Sequence, residues 1–274
     1  MKKLIIIAGF LYLIASLAGC TLFGKTASED YIISIPGAIE PEMQTIAADY
    51  EKSHDNSKFI LRENNSAIAV TMVEERSMNA AVTFYPAVAK AGFKVRQIGV
   101  MPFVFIVNYA AKISNLSSEQ IAGIFSNKYT NWRQLGGKDL PIVILHPNYN
   151  TALPEAVRRI FLHGAEFTGQ PLYADSSWAL PDKVEKIDGS ISYMEAPLLQ
   201  QMNGYYYAVD ILSINGKQAR KENVANGSYV AVLPINVVYK DNNAAEKMVD
   251  YLAAEITKYD FNPDTSTAVS TKNP

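Results

Sequence analysis

The chain alternates between short apolar runs and longer amphipathic segments over most of its length. Runs such as YIISI (31–35) and PIVILH (141–146) are rich in β-branched residues and predict buried strands. Segments such as 42–52 and 244–259 place apolar residues at helical spacing, which predicts helices with one buried face. The pattern predicts strands at 31–35, 58–62, 80–85, 98–109, 141–146, 190–195, 205–214 and 228–240, and helices at 42–52, 66–77, 117–126, 152–164 and 244–259. This alternation predicts an α/β fold with parallel sheets covered by helices.

The first twenty residues have the layout of a secretory signal. Lys2 and Lys3 precede one apolar run, and the run ends in LAGC at Cys20. That ending resembles a bacterial lipobox, so we expect residues 1–19 to be a cleaved signal peptide and Cys20 to carry lipid. Residues 20–30 would then tether the folded body to a membrane. The alternative is an uncleaved membrane anchor in which the cysteine occurs by chance.

Composition excludes several functional classes. Cys20 is the only cysteine, so no disulfide can form within one molecule and a cysteine-based metal site is excluded. The formal net charge is −2, and loss of the signal would remove two lysines, which argues against nucleic-acid binding. The chain has three histidines but no His-Glu-x-x-His, no Gly-x-Ser-x-Gly and no Gly-x4-Gly-Lys motif. We therefore expect no catalytic residues, no metal site and no cofactor.

Three segments, taken in order, resemble segments of one known family. LSSEQIAGIFSNKYTNWRQLGGKDLPIVIL (116–145) has a Leu-Ser start, an Ile-Phe, an Asn-Trp and a Leu-Gly-Gly before a Pro-Ile strand. IDGSISYM (187–194) and ENVANGSYVAVLPINVVYK (222–240) resemble two later strands of the same family. Together they closely resemble the phosphate-binding proteins of bacterial phosphate ABC importers, with order and spacing kept from about residue 31 to 257.

The resemblance implies a type II periplasmic-binding-protein fold. In this fold two α/β lobes face each other across a ligand cleft, and the chain crosses between the lobes twice. The expected domains are one lobe from 31–107 with 208–260, a second lobe from 108–207, and a flexible tail at 261–274. The predicted strands at 98–109 and 228–240 are long enough to connect two sheets.

The resemblance also implies a function in the cell envelope. Such a protein captures a small anion, phosphate or a related oxyanion, closes around it and docks on an ABC permease. Helix N-termini in the cleft would hold the anion through free N–H groups. The expected partners are therefore the small ligand, a permease and a membrane reached through the lipid on Cys20, with the protein a monomer on the periplasmic side of a membrane or the outer surface of the cell. The alternative is a lipoprotein without a transport role that uses the fold as a sensor, adhesion or assembly module.

Four loops are expected to line the cleft. Their positions match the family better than their side chains match those that recognise phosphate. Each offers small or polar residues before a helix, so we expect ligand contacts from Gly37, Ala38, Asn64, Asn65, Ser66, Thr83, Tyr85, Asn150 and Thr151. This set would suit a different small polar solute as well as an oxyanion.

Several positions depart from the family's phosphate chemistry. Phe84 stands where an Asp that accepts a phosphate proton is common, and Leu145 falls at the position of an Arg clamp. Arg62 and His146 are the nearest substitutes by sequence, although each suits a surface or core role better. Glu40 and Glu42 fall in the first turn of a predicted helix, where they would repel an anion, and Trp132 and Trp178 are interpreted as packing residues (both tryptophans of the chain).

Overall fold

The computed structural model of this protein describes residues 30–54, 57–64, 66–85, 90–147, 151–169, 171–202 and 209–261. The predicted signal, Cys20, nearly all of the tether and the tail from 262 onward lie outside the described residues, as do Asn65 and Asn150. Within the described part, no helix combines the length and the apolar character that crossing a bilayer requires.

Eleven strands are formed by the described residues. They are β1 Tyr31–Ile35, β2 Phe59–Glu63, β3 Ala80–Thr83, β4 Phe93–Asn108, β5 Asn115–Leu116, β6 Val143–His146, β7 Leu172–Tyr173, β8 Ser190–Glu195, β9 Val209–Ile211, β10 Ser213–Ile214 and β11 Val232–Lys240. Nine of them form one sheet in the order β2-β1-β3-β11-β4-β8-β6-β7, with β9 also paired to β4, while β5 and β10 pair with each other.

Eight α-helices cover the sheet in the described part of the chain. They are α1 Glu40–Ser53, α2 Ser66–Glu74, α3 Ser118–Phe125, α4 Leu153–Phe161, α5 Leu180–Lys186, α6 Ala196–Gln201, α7 Lys221–Ala225 and α8 Asn243–Ile256. Short 3₁₀ turns precede two of them, at Gly37–Ile39 before α1 and at Ser177–Ala179 before α5.

The long strand β4 belongs to both halves of the sheet. Its first part pairs with β11, from Phe93 opposite Lys240 to Pro102 opposite Val232. Its second part pairs with β8 and β9, starting at Phe103, and the last eight residues of the strand are all buried. A 16-residue strand spans more than 50 Å when extended, so one strand can serve two lobes. This is one of the two crossings that the type II fold requires.

The chain crosses between the lobes a second time just before β11, next to the first crossing. The N–H of Phe103 donates to the carbonyl of Ala231 at 3.0 Å, and the Tyr229 hydroxyl donates to the carbonyl of Phe103 at 2.9 Å. Tyr229 is almost fully buried, so its hydroxyl takes a backbone partner between the two crossing segments. The lobes are therefore joined by two adjacent strands, which confirms the predicted α/β fold of type II.

Strand pairing shows how the second lobe is assembled. Strands β9 and β10, which the sequence assigns to the first lobe, pair with the far end of β4 and with β5. The lobe boundaries at 107 and 208 stay a prediction.

The sequence pattern predicts most elements within a few residues. β1 and β8 begin and end where predicted, and α3 begins after Ser117, whose side chain accepts from the N–H of Gln120 in a capping box. β4 begins five residues earlier than predicted, at Phe93, because its first half is an amphipathic strand with mixed burial. Five short elements were missed: β5, β7, α5, α6 and α7. Each has seven residues or fewer, too few for a period to stand out.

Candidate functional site

A cavity of about 300 Å³ lies where the ends of several strands meet. Strands β1, β2 and β3 run parallel, and strands β6, β7 and β8 run parallel to one another in the other lobe. The residues around the cavity, called the cleft wall below, all lie at the carboxyl ends of these strands or in the segments that follow them. The cleft wall consists of Pro36, Gly37, Ala38, Glu63, Asn64, Phe84, Thr151, Ala152, Asp175, Ser176, Ser177, Trp178, Glu195 and Leu198. This is the edge at which open α/β sheets place ligands.

Four of the nine predicted ligand residues belong to the cleft wall: Gly37, Ala38, Asn64 and Thr151. They come from three segments that are far apart in sequence, which follow β1, β2 and β6. Their role in binding stays a prediction.

The other five predicted residues are placed differently. Thr83 is fully buried, and its hydroxyl accepts the N–H of Tyr85 at 3.2 Å, so it shapes the turn after β3. Tyr85 donates its hydroxyl to the carbonyl of Thr151 at 2.9 Å. Asn65, Asn150 and the side chain of Ser66 lie outside the described residues.

The Tyr85–Thr151 hydrogen bond joins the two lobes at the rim of the cavity. Tyr85 follows β3 and Thr151 precedes α4, and the carbonyl of Tyr85 also accepts from the side chain of Asn236 on β11 at 2.8 Å. Burial raises the pKa of Tyr85, which keeps its hydroxyl protonated as a donor. The structure therefore holds the lobes together at this point.

Gly37 allows a carboxylate to approach the backbone closely. A Cβ at this position would lie 2.3 Å from Oε1 of Glu63, too close for two non-bonded atoms. Glu63 is the last residue of β2 and stands beside the end of β1, since it pairs with Ile35. A glycine here therefore brings the Glu63 carboxylate to the first turn of the cleft wall, which no feature of the PGAIEPE segment predicts.

Asn64 is fastened to the neighbouring strand. Its N–H donates to the carbonyl of Ile35 at 3.1 Å, and its side-chain amide donates to the buried hydroxyl of Ser34 at 3.3 Å. Because the amide nitrogen is engaged on the β1 side, Asn64 is a positioned part of the cleft wall.

The cleft wall is acidic. Glu63, Asp175 and Glu195 belong to it, and none of its described residues is Lys, Arg or His. Glu40 and Glu42 add two carboxylates to the first turn of α1, as predicted, and burial raises the pKa of Glu42. An anion would meet no countercharge from the residues of this wall.

Glu195 is the most unusual of these residues. It is only 6% exposed, and its Oε2 has no hydrogen-bond partner among the described residues. Burial raises the pKa of its carboxyl to about 7. It ends β8 and immediately precedes α6, and its backbone pairs with Phe103 at the crossing of β4. A buried carboxylate oxygen without a partner, on the wall of a cavity, marks a place where a ligand could donate.

Two aromatic side chains complete the cleft wall. Phe84 is buried at the position where the family resemblance predicts an Asp. Trp178 is 51% exposed, so its interpretation as a packing residue is wrong. Trp132 does pack: it is fully buried, and its indole N–H donates to the carbonyl of Gly189 at 2.7 Å.

Neither proposed substitute for the missing arginine reaches the cavity. Arg62 is exposed, donates to the carbonyl of Leu61 and is absent from the cleft wall. His146 is buried with its Nδ1 2.6 Å from the hydroxyl of Tyr193, and burial lowers its pKa to about 4. His146 is therefore a neutral core residue near pH 7.

Sequence reasoning missed Glu63 of the first lobe and most of the cleft wall that comes from the second lobe. Glu63, Glu195, Leu198 and the run Asp175–Trp178 were not proposed as site residues. The run DSSW offered a signal, since Asp and Ser before a helix are typical of a turn that ends in a helix start. Glu195 offered none, because it is the last residue of a strand in which all six positions are buried.

Comparison with known proteins agrees with this geometry. The family model described as the PBP superfamily domain matches residues 27–257. Phosphate-binding protein PstS of Bacillus subtilis is 24% identical over 239 residues, which cover 84% of this chain and 77% of that protein. Phosphate-binding protein PstS of Borreliella burgdorferi is 22% identical over 270 residues, which cover 93% of this chain and 94% of that protein. The resemblance predicted from the three segments is confirmed.

Solved structures agree as well. The crystal structure of an ABC-type phosphate transport receptor from Vibrio cholerae matches with a TM-score of 0.66 and 17% identity. The match covers 82% of this chain and 93% of that one. At this identity the likeness shows the fold alone.

Proposed function

We propose, since the chain belongs to the PBP superfamily, that it is a solute-binding protein of the cell envelope that captures a small solute between its two lobes. The observation that carries the proposal is the cavity itself. Its wall is built from six strand ends, three in each lobe, and holds about 300 Å³. That volume is at the lower end of the range for small-molecule sites, so the solute is small.

The envelope location rests on the sequence. The LAGC ending at Cys20 supports lipid attachment, and residues 20–30 supply a tether between the lipid and β1. A body held at a membrane surface is suited to deliver its solute to an ABC permease in that membrane. The relatives named above are binding proteins, which supports a binding protein rather than an enzyme.

Phosphate is a weak candidate for the solute. The relatives named above are phosphate-binding proteins, but the cleft wall of this chain presents three carboxylates and no basic side chain among its described residues. Phosphate sites rely on N–H donors and, in many proteins, on the bidentate fork of Arg. We therefore expect phosphate to bind in the millimolar range or more weakly.

Titration of the purified chain tests the proposal. The chain from residue 20 onward, with Cys20→Ser, is titrated calorimetrically with phosphate and screened by thermal shift against oxyanions, amino acids, amines and sugars. A ligand at 100 times its Kd stabilises the folded chain by about 2.7 kcal/mol, which such a screen detects. Micromolar binding of phosphate would contradict the expectation for that anion, while leaving the solute-binding function in place.

A blocking variant links binding to the cleft. Ser177→Trp places an indole on the cleft wall and should abolish binding, whereas Ser126→Trp, at an exposed position outside it, should not. Equal binding by both variants would show that the solute is held elsewhere.

The acidic cleft wall also favours a second candidate. A lipoprotein without a transport role would need no phosphate chemistry in the cleft, and the wall has departed from that chemistry. Under this alternative no solute of the screen stabilises the chain and no permease copurifies with the lipidated protein from its own membrane. Copurification of a permease would exclude it.

A further inference from the structure

We propose that the cleft binds an organic cation that carries N–H donors, an ammonium or guanidinium group, with the Glu195 carboxylate as its main contact and Trp178 facing the positive charge. The inference rests on the proposed solute-binding function and names the class of solute.

The charge of the cleft wall carries the first step. Glu63 and Asp175 stand on the wall with Glu195, one from the first lobe and two from the second. Asp175 has a distant ion-pair partner, since Nζ of Lys183 is 3.9 Å from its carboxylate, but its side chain is 98% exposed and Lys183 also donates to the carbonyl of Tyr173. A cation that enters the cavity is attracted by carboxylates from both lobes. Its charge therefore favours the approach of the two lobes to each other.

The unpartnered oxygen of Glu195 carries the second step. Oε2 is buried without a hydrogen-bond partner among the described residues, on a side chain that is nine-tenths buried and belongs to the cleft wall. Leaving such an acceptor unsatisfied is unfavourable, and a donor from a ligand would remove the penalty. A charged N–H donor forms the strongest such hydrogen bond with a carboxylate.

Aromatic groups on the cleft wall carry the third step. Trp178 belongs to the wall with half of its surface exposed, and Phe84 belongs to it from the other lobe. An indole is the best of the aromatic rings for binding a cation over its face. By the family resemblance, Phe84 stands at the position of an Asp that would accept a proton from phosphate. The replacement of that Asp by a phenyl ring suits an amine better than an oxyanion.

A bare metal ion fits this site less well. Among the described residues, no three His, Cys, Asp or Glu side chains come together in a way that could hold a metal ion. The carboxylates are instead spread around a cavity of about 300 Å³, which leaves room for an organic group. A quaternary ammonium would lack the N–H that Oε2 of Glu195 needs, so N–H donors are part of the inference.

The test uses the same chain, from residue 20 onward with Cys20→Ser, and named probes. Methylammonium, ethanolamine, putrescine, agmatine and arginine are titrated calorimetrically at pH 8, with tetramethylammonium, phosphate and glucose for comparison. We expect at least one N–H cation to bind in the micromolar range, and tetramethylammonium to bind at least tenfold more weakly than that cation.

Two variants with a matched control locate the contact. Glu195→Gln keeps the shape of the side chain and should weaken binding of the cation by at least thirtyfold, and Trp178→Leu by about three- to thirtyfold. Glu222→Gln removes an exposed carboxylate outside the cleft wall and should leave binding unchanged. Equal loss in the Glu222 variant would show a general charge effect and overturn the assignment to Glu195.

The pH dependence provides an independent readout. The other titratable groups of the cleft wall are Glu63 and Asp175. On neighbouring elements, Glu42 lies in the first turn of α1, and His146 ends β6, which pairs with β8, and stays neutral above pH 5. Since Glu195 must lose its proton to bind a cation, affinity should rise about fivefold from pH 6 to pH 7, about tenfold from pH 6 to pH 8, and level off above pH 8. An affinity that falls over this range would overturn the inference.

The outcomes separate this inference from the proposed function. If phosphate or glucose binds in the cleft, as judged by Ser177→Trp, and no cation does, the solute-binding function stands and the cation class is wrong. If none of the probes and no solute of the wider screen binds, both fail.

Discussion

Two regions of the second lobe each contain a buried titratable side chain and a tryptophan, and they use them in opposite ways. In the lobe core, His146 contacts the hydroxyl of Tyr193 and Trp132 is fully buried with its N–H bonded. On the cleft wall, Oε2 of Glu195 has no partner among the described residues and Trp178 is half exposed. A buried polar side chain with a hydrogen-bond partner is compatible with a stable fold. A buried polar side chain without a partner, beside a cavity, gains its missing hydrogen bond only when a ligand binds.

The two tryptophans provide the largest expected contrast. Trp132→Ala should lower the free energy of unfolding by about 3–5 kcal/mol, because it opens a cavity in the core and removes one of the two N–H donors to the carbonyl of Gly189. Trp178→Ala should change it by less than about 0.5 kcal/mol, since half of that side chain already contacts solvent. Urea denaturation of both variants measures the difference. Equal effects would mean that Trp178 is part of the core after all.

Glu195→Gln should stabilise the chain at alkaline pH. Burial raises the pKa of this carboxyl from its usual value of 4.5 to about 7, so between these values the folded chain holds a proton that the unfolded chain has released. Its contribution to stability therefore falls as pH rises through this window, by about 3 kcal/mol in total. At pH 8 the variant should be more stable by about that amount, and at pH 4 it should match the parent chain in urea denaturation.

His146 titrates with the opposite sign and serves as the internal control. Its pKa is lowered from 6.5 to about 4, so stability falls as pH drops through that window. In the parent chain the two groups nearly cancel between pH 4.5 and 6.5. In Glu195→Gln only the histidine effect remains, and stability should fall by about 3 kcal/mol from pH 6.5 to pH 4. If the stability of the variant changed with pH as little as that of the parent chain, the assignment of both groups would be contradicted.

The Glu195→Gln variant also tests whether Glu195 lowers the stability of the chain in order to bind a ligand. If the variant gains stability at pH 8 and loses the cation, the carboxylate is kept for its ligand. If stability rises and binding is unchanged, Glu195 is an unusual core residue and the contrast with His146 disappears.

The smallest expected effect is at the rim between the lobes. Tyr85→Phe removes the hydrogen bond to the carbonyl of Thr151 and should destabilise the chain by about 0.5–1.5 kcal/mol. Tyr109→Phe is the matched control, since Tyr109 is 48% exposed and its ring lies under Nζ of Lys112, a contact that Phe retains. Urea denaturation compares the free energies of unfolding of the two variants. An equal loss in Tyr109→Phe would show that the rim hydrogen bond does not stabilise the chain.

The local pattern of the chain was enough to predict the α/β class, the bounds of β1 and β8, and the cap of α3 at Ser117. Alternation and capping act over a few residues, so they can be read without knowledge of the fold. The resemblance then predicted that loops near 37, 64, 84 and 151 line one cavity, and the cleft wall includes residues from each of them.

The charge and chemistry of that cavity depended on tertiary structure. Glu195 looks like any other residue at the end of a buried strand, and it reaches the cleft because β8 pairs with β4 at the crossing between the lobes. Trp178 looks like a core residue by type, and it faces the cavity because a short 3₁₀ turn after β7 presents it there. Residues more than a hundred positions apart became neighbours through strand pairing, and no local period records which side chains such pairing leaves without a partner.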